Sequence, residues 1–296
     1  MLLLLSLACQ PTAPPETIAS EAVSDVATTA SAVPRAVEPD PQERHLRDLR
    51  MLTDGGENAE AYFSFDSARL IFQSTRPPYS CDQIFTVGTD GEGLRRVSTG
   101  TGRTTCAYYY PDGQHILYAS THGAGPECPP TPDHSKGYVW PLYQGYDVYR
   151  AAADGSDVVN LTASPGYDAE ATISPVGDRI VFTSMRDGDL DLYSMNLDGS
   201  DVVRLTDELG YDGGAFYSSD GSTIVYRARH PEDPEEIADY TALLEQDLIR
   251  PSRLEIFVMD ADGGNKHQVT SLNAASFAPF FHPSGSKIIF SSNYGD

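Results

Sequence analysis

Along most of the chain, apolar residues come in short runs rich in Ile, Val, Tyr and Phe, and Asp-Gly or Ser-Asp-Gly pairs stand between the runs. Such runs read as strands and such pairs as hairpin turns. The runs recur in register. Asp154-Gly155-Ser156-Asp157-Val158-Val159-Asn160-Leu161-Thr162 returns 44 residues later as Asp198-Gly199-Ser200-Asp201-Val202-Val203-Arg204-Leu205-Thr206, with one residue changed. One landmark turn precedes a Leu/Val-Thr/Ser run at Asp90-Gly91, Asp154-Gly155, Asp198-Gly199 and Asp262-Gly263. A second precedes an Ile/Leu-rich run at Asp66-Ser67, Asp112-Gly113, Val176-Gly177, Asp220-Gly221 and Ser284-Gly285. From first to second landmark the offset is 22 in all four cases, and successive second landmarks are 46, 64, 44 and 64 residues apart. The unit is therefore about 44 residues, and two copies carry insertions of about 20, at 121–142 and 228–250.

Each unit holds four candidate strands; in the copy around Gly221 they fall at 190–195, 202–206, 214–218 and 223–227. Four antiparallel strands per repeat make the blade of a β-propeller. Tyr217-Ser218-Ser219-Asp220-Gly221-Ser222-Thr223-Ile224-Val225-Tyr226 and Asp189-Leu190-Asp191-Leu192-Tyr193-Ser194-Met195-Asn196-Leu197-Asp198-Gly199 resemble the two signature phrases of TolB-type propeller repeats. The resemblance covers residues 46–296 and departs from the pattern at Val176-Gly177 and Phe65-Asp66-Ser67. It implies an all-β, TolB-like propeller of four-stranded antiparallel blades, with about 4.5 blades present of six. Roughly 60 further residues would complete the ring, so the chain is expected to be a fragment that folds as an open arc with a bare edge on its fifth blade. Laid on the family's strand order, both insertions fall on one face. TolB carries an amino-terminal α/β domain where this chain has only a tether.

Three segments result. Residues 1–9 read as the end of a signal peptide, and the run before Cys9 resembles a lipobox, with Ser6 where Leu is usual. Cys9 is then the lipidated residue, and the only expected link to a membrane. Residues 10–44, rich in Pro, Ala, Thr, Ser, Val and Glu, read as a disordered tether. Residues 45–296 form the propeller. The chain has 43 acidic against 20 basic residues, a net charge of −23, which argues against nucleic acid or an anionic lipid surface as a partner.

Candidate chemistry lies where the copies differ. Eight and six residues before the second landmark stand Asn58 and Glu60, Thr104 and Cys106, Asp168 and Glu170, Asp212 and Gly214, and Ser276 and Ala278. Glu60, Asp168, Glu170 and Asp212 would gather at the channel mouth on the long-loop face and select a cation or a basic peptide. Ten residues after the landmark stand Arg76, His122, Arg186, His230 and Tyr294. His122 and His230, beside those carboxylates, would supply an oxygen/nitrogen metal site or an acid–base pair. No other cofactor is expected. Three cysteines remain: Cys81 with Cys106 is the preferred bridge, Cys106 with Cys128 the next, and a zinc site with His122 or His134 the last. Asp187, Asp189 and Asp191 alternate like calcium ligands, but Leu192 and Asp198 occupy the places that need Gly and Glu, so a hairpin is the reading. No nucleophile-elbow, zincin or phosphate-loop motif occurs.

The expected function is that of a non-catalytic cell-envelope propeller in the periplasm, lipid-anchored to the outer membrane. It would bind a protein or peptide of the envelope through its long-loop face, with Tyr138, Trp140, Tyr143 and Tyr146 as anchors. The alternatives are the propeller of a prolyl-oligopeptidase-type serine hydrolase whose catalytic domain lies beyond Asp296, and a metal-dependent propeller enzyme using His122, His230, Glu170 and Asp212.

Overall fold

Four successive sheets of four antiparallel strands and a fifth of two follow one another in chain order. They come from a computed structural model that describes residues 34–295; Cys9 and the leader lie outside the described residues. Blade 1 runs Glu57–Phe63, Arg69–Thr75, Gln83–Gly88, Arg95–Arg96, and blade 2 runs Thr104–Tyr109, His115–Ser120, Asp147–Ala152, Val159–Asn160. Blade 3 is Asp168–Ile173, Arg179–Ser184, Asp191–Asn196, Val203–Arg204, and blade 4 is Tyr211–Tyr217, Thr223–Arg229, Glu255–Asp260, His267–Gln268. Blade 5 is Ser276–Phe281 with Ile288–Ser292. The propeller and its four and a half blades are as the repeat implied. The phase differs: the short fourth strand after each repeated Asp-Gly closes the preceding blade. Ahead of blade 1, Arg35–Ala36, in the stretch expected to be a tether, pairs with Arg50–Met51, which follows that stretch.

The core lies between blades. Ile71, Ile84 and Val97 of blade 1 meet Ala107, Ile116 and Tyr118 of blade 2. Leu117 and Val148 of blade 2 meet Ile173, Ile180 and Phe182 of blade 3, and Val181 and Leu192 of blade 3 meet Ala215, Ile224 and Tyr226 of blade 4. A second strand such as Arg179–Ser184 is thus covered on both faces, which is why it reads as a continuous apolar run. Each such buried Leu, Ile or Phe contributes about 1.5–3 kcal/mol.

The repeated phrase serves this packing. Asp154 and Asp198 each accept from the backbone N–H and hydroxyl of the following serine, Ser156 or Ser200, which fixes the turn. The intervening glycine has positive φ and presses on the blade before. A Cβ on Gly155 would stand 2.6 Å from the carbonyl oxygen of Val97, and one on Gly199 2.4 Å from that of Leu161. The glycine is therefore fixed twice, by conformation and by contact.

The insertions are not separate loops. Trp140–Pro141 of the first pairs antiparallel with Leu248–Ile249 of the second, and Leu142 N–H donates to the Asp247 carbonyl at 2.7 Å. The second insertion also contains a helix, α1 (Pro234–Leu244), with Asp233 as N-cap, proline in its first turn, and Glu235 and Glu236 behind it. Val139, Leu243 and Leu248 close one side of this joint structure, and Leu142, Tyr240 and Ile249 seat it on Leu190 and Tyr211. Insertions from blades 2 and 4 therefore form one cap.

Candidate functional site

Every inner strand carries a β-bulge at the same place, and the residue in it has positive φ: Glu60 at 51°, Cys106 at 51°, Glu170 at 54°, Gly214 at 58° and Ala278 at 49°. A bulge breaks the alternation of a strand and re-aims one side chain. Here it sends these five positions into the channel. Two residues on, Tyr62, Tyr108, Phe216 and Phe280 converge: Tyr62 lies 5.4 Å from Tyr108 and 5.6 Å from Phe216, and Phe216 lies 5.3 Å from Phe280, ring centre to ring centre. Tyr62 and Phe216 floor a chamber of about 390 Å³, and Trp140, Pro141 and Tyr143 of the cap lie at its other end. Glu60 and Ala278 line it and are exposed, so it opens beside blade 1.

Two ion pairs stand in its wall. Glu170 accepts from the Arg227 guanidinium, from Tyr211 Oη at 2.8 Å, from Thr183 Oγ1 at 2.9 Å and from Gly214 N–H at 3.1 Å. Arg227 Nε donates to Tyr211 Oη at 3.0 Å, and its guanidinium lies over Trp140 at 5.2 Å and over Tyr211 and Phe277 at 5.7 Å. Glycine makes this reach possible, since a Cβ on Gly214 would stand 2.8 Å from Cζ of Arg227. The second pair is Arg103 with Asp82 at 3.9 Å, the guanidinium lying over Tyr143 at 5.7 Å.

Glu60 has no cation within ion-pair distance among the described residues. Burial among the blades pushes its carboxyl up, and a hydrogen bond from the Cys106 thiol opposes that. It is nevertheless solvent-accessible; protein surrounds it, and its open surface faces the chamber. Burial also pushes the Cys106 thiol well up, which disfavours its thiolate.

Asp168 and Asp212 do not join Glu60 and Glu170. They are 1% and 0% exposed and form clamps inside their own blades. Asp168 accepts from Arg186 at 3.2 Å and from Ser164 Oγ at 2.8 Å; Asp212 faces His230 Nε2 at 3.0 Å. In a regular strand residues two apart share a face; here the bulge that follows Ala169 and Gly213 turns Asp168 and Asp212 away from the positions six before the landmark. His122 is elsewhere again, against Tyr149 at 4.2 Å with Nδ1 2.8 Å from Ser120 Oγ, and burial lowers its pKa. His230 and Asp212 thus hold each other, while His122 and Glu170 each have other partners, so the four do not gather at one site. Among the described residues no group of three or more His, Cys, Asp or Glu is placed to hold a metal ion.

Trp140 and Tyr143, expected as partner anchors, face the chamber, and Tyr143 Oη donates to the Pro130 carbonyl at 2.7 Å. The preferred bridges are corrected: Cys81 pairs with Cys128, and Cys106 is free. The bulge turns Cys106 into the channel, whereas Cys128 arrives on the Pro-rich arm of the first insertion beside Cys81. Arg227, Tyr211, Arg103 and Asp82 were not foreseen. Of these only Arg227 left a signal, as a charged residue in the middle of the second strand Thr223–Arg229.

No family model matches the sequence, and no curated protein does. Among solved structures, putative TolB from Agrobacterium tumefaciens is similar with a TM-score of 0.60 at 19% identity, over 84% of this chain and 80% of that one. TolB from Acinetobacter baumannii gives 0.55 at 17%, over 79% of this chain and 48% of that one, so this chain spans about half of it. An oligogalacturonate lyase in complex with manganese gives 0.51 at 15%, over 80% and 62%. At these identities the likeness is one of fold, and this chain has the fold of a TolB-type β-propeller.

Proposed function

We propose that the chain is a non-catalytic binding protein of the bacterial cell envelope that engages a protein or peptide through the face carrying its two insertions. The observation that carries this reading is the cap. It is joined across its middle by strand pairing, tied to blade 1 by the Cys81–Cys128 bond, and its outer surface presents Tyr138, 69% exposed, with the exposed carboxylates Glu232, Glu235 and Glu245. A rigid scaffold that displays an exposed aromatic among like charges suits a partner with cationic groups. A disulfide belongs to oxidising compartments, which supports an extracytoplasmic setting, and Cys9 with its tether would hold the propeller near a membrane. Among the described residues no helix is long and apolar enough to cross a bilayer. Within the chamber Glu170 is committed to Arg227, which suits binding.

The test is capture from envelope fractions. Tyr138→Ser combined with Glu245→Lys should lower recovery of the partner at least tenfold while the unfolding midpoint stays put, since a lysine at the end of α1 suits the helix dipole. Unchanged recovery removes the reading.

A further inference from the structure

The chamber beneath the cap has chemistry of its own, independent of what docks on the cap's outer surface. Its volume, about 390 Å³, is that of a small-molecule site. Its charged lining consists of three carboxylates, Glu60, Asp82 and Glu170, and two guanidiniums, Arg103 and Arg227. Glu170 with Arg227 and Asp82 with Arg103 account for two carboxylates and both cations. One carboxyl group, Glu60, remains without a cation at ion-pair distance among the described residues, and the bulge at that residue aims it into the open space. Tyr62 and Phe216 lie on the floor, with Tyr146, Tyr167 and Phe277 in the wall. A metal ion does not fit this donor set, for Glu60 and Cys106 give two ligands, and no third of the metal-binding kind is placed with them among the described residues.

We propose that this chamber binds an organic cation, a primary ammonium or amidinium group carried on an apolar or aromatic stem, with the charged head at Glu60 and the stem against Tyr62 and Phe216. An anionic ligand would face the uncompensated carboxylate. A neutral one would leave Glu60 desolvated without a counter-charge, which is costly for a carboxylate in a confined site. The aromatic wall adds a second attraction for a cation, through the faces of its rings.

The single tryptophan of the chain, Trp140, lines the chamber and reports on it directly. The probe is phenethylammonium, titrated into the full chain with Trp140 emission as readout, beside neutral 2-phenylethanol and anionic 3-phenylpropionate. Saturable binding of the ammonium at least tenfold tighter than that of the alcohol, and no binding of the carboxylate, is the expected result. Glu60→Gln should bring the ammonium's affinity down to that of the alcohol, and Glu60→Asp should keep most of the preference. Neither variant removes an ion pair, and circular dichroism verifies the fold of each. Equal binding of the three probes, an unaltered preference in Glu60→Gln, or no saturable response to any probe overturns the proposal. Partner capture by Tyr138 is untouched by these variants, so the two readings fail separately.

Discussion

His230 Nε2 lies 3.0 Å from Oδ1 of Asp212, in the place where blade 3 sets Arg186 at 3.2 Å from Asp168 and blade 1 sets Arg76 at 2.7 Å from Asn58. The three contacts are copies of one clamp, which ties the start of an inner strand to the residue just past the end of the second. The histidine is therefore first a structural cation. Of the three, blade 4 alone has built its clamp from a titratable imidazole.

That difference has a signed consequence. Burial lowers the pKa of His230, but the hydrogen bond to Asp212 and the charges of Asp212 and Glu208 outweigh it, so the folded value lies above the ordinary one. Burial pushes the Asp212 carboxyl up, while His230 pulls it down. The direction that governs is that of His230, because it faces two carboxylates, Glu208 at 3.1 Å being the second. A raised histidine pKa contributes stability that is fully present below the unfolded value, about 6.5, and is lost as pH rises through the folded value. His230→Gln should cost on the order of 3 kcal/mol at pH 6 and less above the folded pKa. His230→Arg should keep the clamp and flatten the pH dependence, as Arg186 does in blade 3. Urea midpoints from pH 5.5 to 9 for the three proteins decide this, and parallel profiles for wild type and His230→Arg would refute it.

Glu170 and Arg227 form the other buried pair, with side chains 11% and 12% exposed. Removing one member leaves the other without its partner, at a cost of about 3–5 kcal/mol. Glu170→Gln and Arg227→Met should each lose that much, whereas the double variant should recover a good part of it, since no isolated charge remains. Gly214→Ala should resemble Arg227→Met, because a Cβ there occupies the guanidinium's place. Chemical denaturation of the four variants gives the coupling. A double variant that loses the full sum of the two singles would show that the residues do not act as a pair.

The fold was legible because a propeller writes itself into a sequence many times: each Asp-Gly is one turn, and Gly155 and Gly199 must be glycine for contact as well as for conformation. The candidate site was legible only to the level of residue type. Glu60, Asp168, Glu170 and Asp212 were expected together at the channel mouth from their repeat positions; Glu60 and Glu170 line the chamber while Asp168 and Asp212 are buried inside their blades, and the difference comes from a bulge, which has no composition of its own here. The pairing of Trp140–Pro141 with Leu248–Ile249 joins parts of the chain more than 100 residues apart through strands of two residues, too short to carry a period. Helix α1 did announce itself, through Asp233, Pro234, Glu235 and Glu236, inside a stretch read as loop.

The cap owes its fixed position to two different ties, and these can be cut one at a time. Cys81 and Cys128 are 47 residues apart in sequence, so their bond closes a long loop. In the chain-entropy model a loop of that size is worth about 4 kcal/mol. Cys128→Ser should therefore lower stability by up to that amount and loosen the Pro-rich arm held over the chamber by Tyr143, so that added iodide reaches Trp140 through the chamber while Trp140 stays paired with Ile249. The strand pairing to the second insertion remains in that variant, so blades 2 to 4 should unfold as before once the arm has let go. Cys106→Ser should leave both the bond and the quenching unchanged, because the bulge holds that thiol in the channel. Peptide mapping without reduction identifies the linked pair, and iodide quenching of the lone tryptophan reads the arm. A Cys81–Cys106 peptide in the wild-type digest, or quenching that rises in Cys106→Ser and not in Cys128→Ser, would contradict this account of how the cap is held.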